Sequence, residues 1–207
     1  MPILLDLFCG GGGSAEGYHK AGFTVVGVDN VSQPSYPYEF YLSDAFEFLA
    51  DNHREFDLIH ASPPCQGYSI GSNKSSMPRL IGKVREVLRT QPYIIENVVG
   101  AKYFMHSPIF LCGFMFGLHI RRHRLFETSF RAEPPIHFKC LGKQLAYAQS
   151  RGWESGFSKK SASSGKVERY QELLGVEHQM TIHELVEAIP PVYTNWLGRK
   201  FLGGNSA

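Results

Sequence analysis

The sequence lacks the features of exported and membrane-embedded proteins. Its amino terminus, MPILLDLFCGG, has no basic segment ahead of the apolar run, and Asp6 interrupts that run, so the pattern is not that of a signal peptide. No apolar stretch approaches the roughly 18 residues that a membrane-spanning helix needs. The four cysteines are widely spaced without a Cys-x-x-Cys pair, which favours free thiols over disulfides. We therefore expect a cytoplasmic protein of a bacterium or a viral host.

The cysteines and histidines also give little indication of a metal site. His137 and Cys140 are separated by two residues, and Cys112 or His119 could complete a zinc-binding set. This spacing does not match the regular patterns of structural zinc sites, and each residue has a simpler explanation as part of a core or a surface. We therefore predict no metal site.

The chain has no strong excess of charge, since its net charge at pH 7 is +2. The basic side chains are nevertheless concentrated in residues 131–166, which contain seven Lys or Arg and two Asp or Glu, together with several aromatic residues. Such a stretch suits contacts with phosphates and stacking on bases. A hydrophobic fraction of 43% is sufficient for one folded core.

Strand and helix patterns alternate along the first 130 residues. Four short apolar segments are predicted to be strands, namely PILLDLF, TVVGVD, FDLIHAS and PYIIEN. Amphipathic segments between them predict an α/β fold with a mostly parallel sheet and helices on both faces. We expect a catalytic or binding domain over residues 1–130, a small irregular basic region over 131–170, and C-terminal helices over 171–207 that pack back on the first domain. Thr181 and Glu184 form a predicted capping box in the last of these regions.

Unusual residues follow each predicted strand. Gly10 to Gly13 follow the first strand and Asp29 ends the second, while Cys65 comes after the third and Glu96 ends the fourth. In an open parallel sheet, ligands bind beyond the carboxyl ends of the strands. The sequence therefore predicts that these residues meet at one edge of the sheet.

The glycine-rich turn indicates a nucleotide-like ligand. Residues 10–15 fit the pattern G-x-G-x-x-A, and Asp29 is placed to bind ribose hydroxyls. NAD and S-adenosylmethionine (SAM) both suit this pattern, as does a tight turn without a ligand. No downstream segment resembles a hydride-transfer site, which disfavours an NAD-dependent oxidoreductase.

Cys65 and Glu96 suggest nucleophilic chemistry, although a buried structural cysteine explains Cys65 equally well. A thiol paired with a carboxyl suits addition to a ring that gains a proton as it gains a nucleophile. In IRRHRLFE, Arg122 and Arg124 would point the same way if the segment is extended, and two arginines on one face suit phosphate and carbonyl oxygens. A solvated basic edge strand is the alternative.

The motifs DLFCGGGG, SPPCQGYS, ENV and RRHR occur in this order, and together they resemble the DNA (cytosine-5)-methyltransferases. The resemblance covers roughly residues 3–127. It implies a Rossmann-like, SAM-dependent fold and transfer of a methyl group to carbon-5 of a flipped cytosine in duplex DNA, through a covalent adduct of Cys65.

The resemblance also implies roles for individual residues. Those expected to bind SAM are Phe8, Gly10, Gly12, Asp29, Asp44 and Pro63. Those expected to be catalytic are Cys65, Glu96, Arg122 and Arg124. Those expected to contact DNA are Gln66 and Ser69 on the loop after the nucleophile, with Lys159 and Lys160 in the basic stretch.

The sequence departs from the family pattern in three places. Ile120 stands where the family usually has Gln, and Val186-Glu187 stand in place of a Gly-Asn pair. The region after Arg124 is also short for a target-recognition domain, which predicts weak or short sequence specificity. Two alternatives therefore remain: the same chemistry on RNA, single-stranded DNA or a nucleotide, and a catalytically silent nucleic-acid-binding protein.

Overall fold

The computed structural model describes residues 1–52, 56–68, 77–137 and 164–204. Its strands are β1 (Ile3–Leu7), β2 (Thr24–Asp29), β3 (Glu39–Leu42), β4 (Leu58–Ala61), β5 (Tyr93–Asn97), β6 (Ile109–Leu111) and β7 (Arg124–Thr128). Its α-helices are α1 (Gly13–Ala21), α2 (Ala45–Asn52), α3 (Ile81–Leu88), α4 (Ser164–Leu174), α5 (Ile182–Glu187) and α6 (Pro191–Gly204). Two 3₁₀ helices cover Val99–Phe104 and Gly113–Phe116.

The seven strands form one sheet in the order β3-β2-β1-β4-β5-β7-β6. The strands β1 to β5 are parallel, and β7 runs antiparallel to both of its neighbours. This arrangement confirms the predicted mostly parallel α/β sheet. The strand order reverses between β1 and β4, and in such folds ligands bind beyond the carboxyl ends of the strands at the point of reversal.

Both faces of the sheet are covered by helices, which explains why the central strands are almost entirely apolar. On β1, Leu5 and Leu7 belong to a buried cluster that includes residues of α2 and α3. Leu4 belongs to a second cluster, which includes residues of α1 and α6. Gly17 permits the close contact between α1 and α6, because a Cβ there would overlap the carbonyl oxygen of Pro191.

The C-terminal region partly follows the sequence prediction. Thr181 caps α5 as expected: its Oγ1 accepts a hydrogen bond from the Glu184 backbone N–H at 3.3 Å, and the Glu184 carboxylate accepts one from the Thr181 N–H at 2.6 Å. The two prolines predicted to end this helix have an additional role, since Pro191 begins α6. Proline is well suited to the first turn of a helix because the N–H that it lacks would have no partner there.

Two further features bear on the predictions. Most of the basic stretch, residues 138–163, lies outside the described residues. Within the part of the chain that the structure describes, no helix is long and apolar enough to cross a membrane.

Candidate active site

The glycine-rich turn after β1 has an unusual backbone. Phe8, Gly10 and Gly12 have φ angles of 57°, 50° and 91°, all in the left-handed region. This conformation is uncommon for a residue with a bulky side chain, and it is found preferentially at functional sites. A Cβ added to Gly10 would meet nothing within 4 Å, whereas at Gly12 it would come within 2.9 Å of Pro37. The backbone at Gly10 is therefore open to a ligand, while Gly12 is needed for packing.

Asp29 and Asp44 lie at the same edge of the sheet, and backbone groups hold both carboxylates. The Asp29 carboxylate accepts hydrogen bonds from the N–H groups of Gly10 at 3.1 Å and Val31 at 3.0 Å. Asp44 Oδ1 accepts one from the Phe46 N–H at 2.8 Å and so caps the start of α2. Asp29 is half-buried and Asp44 is exposed, so both remain accessible at the edge of the sheet.

Asp6 is a third carboxyl next to the turn, and it is fully buried. Its Oδ2 accepts a hydrogen bond from the Ser14 hydroxyl at 2.8 Å, and its Oδ1 has no hydrogen-bond partner among the described residues. Burial raises the pKa of Asp6 to about 8, aided by the charges of Asp29 and Glu96 and opposed by the hydrogen bond from Ser14. A carboxyl that is neutral near pH 7 can donate a hydrogen bond, unlike an ordinary aspartate.

The loop that carries Cys65 is fixed at both sides. The Ser62 N–H donates to the carbonyl of Leu7 at 3.1 Å, which extends the β1–β4 pairing by one residue. The Asn97 side chain donates to the Pro63 carbonyl at 2.9 Å in a buried position. Pro63 is buried and Cys65 is half-buried, and the loop that carries them follows β4, next to the point where the strand order reverses.

Glu96 lies at the end of β5 and is paired with a cation. Arg124 Nε is 2.9 Å from Glu96 Oε1, and the two side chains are 15% and 8% exposed. Burial raises the pKa of Glu96, and the charges of Arg124 and Arg122 and a hydrogen bond with Ser62 only partly oppose this effect. The carboxyl is therefore shifted toward its protonated form.

Cys65 responds to the same two charges. Burial raises the pKa of its thiol, the Arg124 charge lowers it, and the Glu96 charge raises it. Cys65 is thus within reach of the charges of Glu96 and Arg124, which are in contact with each other, and the catalytic roles of the three residues stay predictions.

Arg122 is positioned differently from Arg124. It is buried, and its guanidinium donates to the carbonyl of Val186 at 2.6 Å and to that of Ala188 at 2.9 Å. Burial and the Arg124 charge lower its pKa to about 10. Since β7 begins only at Arg124, the two arginines are not alternate residues of one strand, and Arg122 ties the preceding segment to the end of α5. A role for Arg122 in binding a base stays a prediction.

A chain of buried hydrogen bonds behind Glu96 was not predicted from the sequence. His60 Nδ1 lies 2.9 Å from the Tyr18 hydroxyl, and His60 Nε2 lies 2.8 Å from the Ser62 hydroxyl. The Ser62 side chain also acts on Glu96, whose pKa it lowers. Burial lowers the pKa of His60 to about 3, so the ring is neutral. The one signal in the sequence was a polar residue in the middle of the apolar strand FDLIHAS.

The C-terminal region also contacts the glycine-rich turn, which the sequence did not indicate. His178 Nε2 lies 2.7 Å from the carbonyl of Gly11, and Nδ1 lies 2.7 Å from the Glu16 carboxylate. Burial would lower the pKa of His178, but these hydrogen bonds raise it overall. Burial would likewise raise the pKa of Glu16, but its bonds to His178 and Lys20 bring it to about 2. The pair formed by His178 and Glu16 therefore connects the C-terminal region of the chain to the glycine-rich turn.

The remaining predicted residues have varied positions. Gln66 follows Cys65 on the same loop and is half-buried, while Ser69, Lys159 and Lys160 lie outside the described residues. Ile120, which replaces a Gln of the family pattern, is fully buried in a cluster formed with α4 and α5. This packing explains why the position is apolar here.

The chain is similar to several known proteins. The Type II methyltransferase M1.HphI of Haemophilus parahaemolyticus is 33% identical over 126 residues, which is 50% of this chain and 33% of that protein. M.AplI of Arthrospira platensis is 31% identical over 115 residues, 49% of this chain and 32% of that protein. The matched part of this chain therefore spans about one third of each of these curated relatives.

A comparison of structures supports the fold. The methyltransferase EhMeth of Entamoeba histolytica aligns with a TM-score of 0.68 and 11% identity, covering 100% of this chain and 99% of that one. At this identity the likeness concerns the Rossmann-like fold alone. The family of C-5 cytosine-specific DNA methylases matches residues 3–111, a segment that includes the glycine-rich turn, the Cys65 loop and Glu96. The chain belongs to the C-5 cytosine-specific DNA methylase family.

Proposed function

We propose that this chain is the catalytic part of a SAM-dependent enzyme that methylates carbon-5 of cytosine in DNA through a covalent adduct of Cys65. The observation that carries the proposal is the cluster of Cys65, Glu96 and Arg124 beside the glycine-rich turn, where the strand order reverses. A nucleotide-like ligand and a reactive thiol would meet at this edge of the sheet.

The residues around the turn fit SAM. The backbone at Gly10 is open, Asp29 and Asp44 provide accessible carboxylates, and the buried Oδ1 of Asp6 has no hydrogen-bond partner among the described residues. Carboxylates suit the ribose hydroxyls and the adenine amine of such a ligand. The residues that would hold SAM are Phe8, Gly10, Gly12, Asp29, Asp44 and Pro63. When bound, SAM would supply the methyl group that carbon-5 of cytosine accepts.

Cys65 would be the nucleophile, and its activation would involve Glu96. The thiolate is disfavoured by burial and by the Glu96 charge, and it is favoured by Arg124. Transfer of the thiol proton to Glu96 would form a thiolate and a neutral carboxylic acid in one step. The two groups would together carry one negative charge beside Arg124 both before and after this transfer. The raised pKa of Glu96 favours this exchange.

Cys65 and Glu96 would then both take part in one addition to the cytosine ring, the first as nucleophile and the second as proton donor. The Cys65 thiolate would form a bond to carbon-6 of cytosine, while the protonated Glu96 would donate to ring nitrogen N3, where negative charge develops. The electron pair thus made available at carbon-5 enables methylation there. Transfer of the carbon-5 proton to solvent water would then expel the thiolate and restore the aromatic ring, and the proton at N3 would return to the Glu96 carboxylate. The hydrogen bonds through Ser62 and His60 would hold the Glu96 carboxyl in place.

A cytosine in duplex DNA must leave the base stack to reach Cys65, which costs a few kcal/mol. We propose that Gln66 and Ser69 contact DNA near the flipped base, and that Lys159 and Lys160 contact phosphates. In this division, residues 1–130 bind SAM and catalyse, 131–170 form a reduced recognition region, and 171–207 support the catalytic domain. The short recognition region would give weak or short sequence specificity, and a methylation map with a strict site of six or more base pairs would contradict that.

The proposal is tested by incubating the full chain with radiolabelled SAM and duplex DNA, with single-stranded DNA and RNA as separate acceptors. Cys65→Ser serves as the matched variant, and SAM binding is measured for both proteins by calorimetry. We expect label in DNA, recovered as 5-methylcytosine, with no transfer by Cys65→Ser and unchanged SAM binding.

Other outcomes would contradict parts of the proposal. Transfer to RNA alone would show that DNA is the wrong acceptor. SAM binding without transfer to any acceptor would favour a catalytically silent binding protein. Transfer by Cys65→Ser at the wild-type rate would exclude the covalent adduct.

A further inference from the structure

Three potential metal ligands come together at the connected end of the β6–β7 pair. The side-chain donor atoms of Cys112, His123 and His137 all lie within 4.8 Å of one another. Leu111 pairs with Arg124 in the antiparallel register, so Cys112 and His123, the next residue on each side, are neighbours across the pair. His137 reaches them from the segment that follows β7.

The neighbouring side chains hold this cluster in place. The Phe110 ring centroid is 4.8 Å from that of His123 and 5.3 Å from that of His137. The two imidazole rings are 6.1 Å apart and nearly perpendicular, at 89°. Cys112 is fully buried, and the backbone N–H of Met115 donates to the Cys112 carbonyl at 3.0 Å, which fixes the backbone that carries the thiol.

The ligand chemistry matches zinc. One thiolate and two imidazoles are typical zinc ligands, with Zn–S near ~2.3 Å and Zn–N near ~2.0 Å. Tetrahedral geometry then separates the ligand atoms by roughly 3.3–3.5 Å, so the cluster, whose donor atoms lie within 4.8 Å of one another, needs to contract by up to about 1.5 Å, which side-chain rotations can supply.

Two cationic side chains lie close to His123 in the chain, Arg121 and Arg124, and Arg124 is paired with Glu96. Their charges oppose a cation at this cluster, and the negative charge of a Cys112 thiolate would offset them.

We propose that Cys112, His123 and His137 bind a zinc ion whose fourth coordination position is left to water, and that this ion ties the segment after β7 to the β6–β7 pair. The sequence offers His137 and Cys140 as a pair of potential ligands, with Cys112 or His119 to complete the set, and its irregular spacing argues against a metal. The structure brings in His123 instead, and Cys140 lies outside the described residues. The site is separate from the proposed methyl transfer and does not depend on it.

The test uses the full chain, stripped of metal with a chelator and reloaded with Zn²⁺ or Co²⁺. We expect about one equivalent of metal per chain, a rise in Tm on loading with Zn²⁺, and a thiolate-to-cobalt charge-transfer absorption with Co²⁺. Cys112→Ser should abolish that absorption, and both Cys112→Ser and His137→Ala should weaken zinc binding by more than about tenfold. His119→Ala is the control, since His119 is an exposed histidine on the same connection between β6 and β7.

The proposal is overturned if the folded wild-type chain gives no charge-transfer absorption with Co²⁺, or if zinc binds equally well to His137→Ala. Because Cys112 is buried, Cys112→Ser could fail to fold, and circular dichroism identifies that case. His137→Ala then decides, together with the cobalt spectrum of the wild-type chain. Equal loss of zinc from His119→Ala would also contradict the assignment of ligands.

Discussion

Removing Arg124 should destabilise the protein through the carboxyl that it leaves behind. Its Nε lies 2.9 Å from Glu96 Oε1, and the side chains are 15% and 8% exposed. At an effective dielectric constant of ~20, the Coulomb attraction at this distance is about 6 kcal/mol, and desolvation of the two ions offsets much of it. Arg124→Ala loses the attraction but leaves Glu96 buried. Breaking a buried pair in this way costs about 3–5 kcal/mol, and we expect about 3 kcal/mol because Glu96 can take up a proton.

A double-mutant cycle measures this effect. The free energy of unfolding is obtained from urea denaturation of the wild type, Arg124→Ala, Glu96→Gln and the double variant at pH 7.5. The double variant should be more stable than the sum of the single effects predicts, by at least about 1.5 kcal/mol. Arg131→Ala is the matched control: Arg131 pairs with Glu133, and both are largely exposed, so the loss should be below about 1 kcal/mol.

The dependence of the free energy of unfolding on pH provides a second, independent test. In Arg124→Ala the pKa of Glu96 should rise further above its ordinary value, since the cation that lowers it is gone. The folded state then binds more protons than the unfolded state above pH 4.5, so stability increases as the pH falls toward that value. Arg124→Ala should therefore approach the wild type in stability on acidification. Additive energies in the cycle, or a loss that does not change with pH, would refute the reasoning.

Three further predictions concern the surroundings of the site. His60 has a pKa of about 3 in the folded state and 6.5 in the unfolded state, so the wild type loses stability as the pH falls through this interval. His60→Gln lacks this titration. Urea denaturation should therefore show that the stability of the variant rises relative to that of the wild type by about 2–3 kcal/mol between about pH 6.5 and 4.5. Glu16→Gln should lower the free energy of unfolding by about 2 kcal/mol, since the substitution weakens the hydrogen bond to His178. NMR titration of the same variant should show a lower pKa of His178, and an unchanged titration would mean that the pair is unimportant. Gly17→Ala should cost at least ~2 kcal/mol, while Gly82→Ala, where a Cβ meets nothing within 4 Å, should be neutral or stabilising by up to ~1 kcal/mol in thermal unfolding.

The sequence could predict the location of the site because its motifs end strands. Parallel strands bring their carboxyl ends to one edge, so Asp29, Cys65 and Glu96 could be placed together without knowledge of any distance. The short strand β3 was not predicted, since its residues are mostly exposed and carry no buried alternation. The helix α6 was missed because a Pro-Pro pair was interpreted only as the end of the preceding helix.

Other parts of the site could not be predicted because they depend on contacts between distant residues. The hydrogen bond between Tyr18 and His60 joins residues 42 positions apart, and that between Gly11 and His178 spans 167 positions. No local pattern of apolar or polar residues encodes such pairs. The same limit applies to the candidate metal ligands, where the hairpin register, rather than the spacing in the sequence, selects His123 over His119.

The position of Arg124 depends on a part of the chain beyond the family match, which ends at residue 111. Arg122 donates to carbonyls at the end of α5, and the Tyr193 hydroxyl of α6 donates to the Arg122 carbonyl at 2.6 Å. Both contacts are buried, so breaking either would leave polar groups without water, at a cost of about 1–3 kcal/mol for each group. They fix the backbone two residues before Arg124, and Arg124 in turn sets the charge balance of Glu96 and Cys65. The C-terminal helices are thus part of the machinery that holds the proposed catalytic cluster, although no motif in them indicates it.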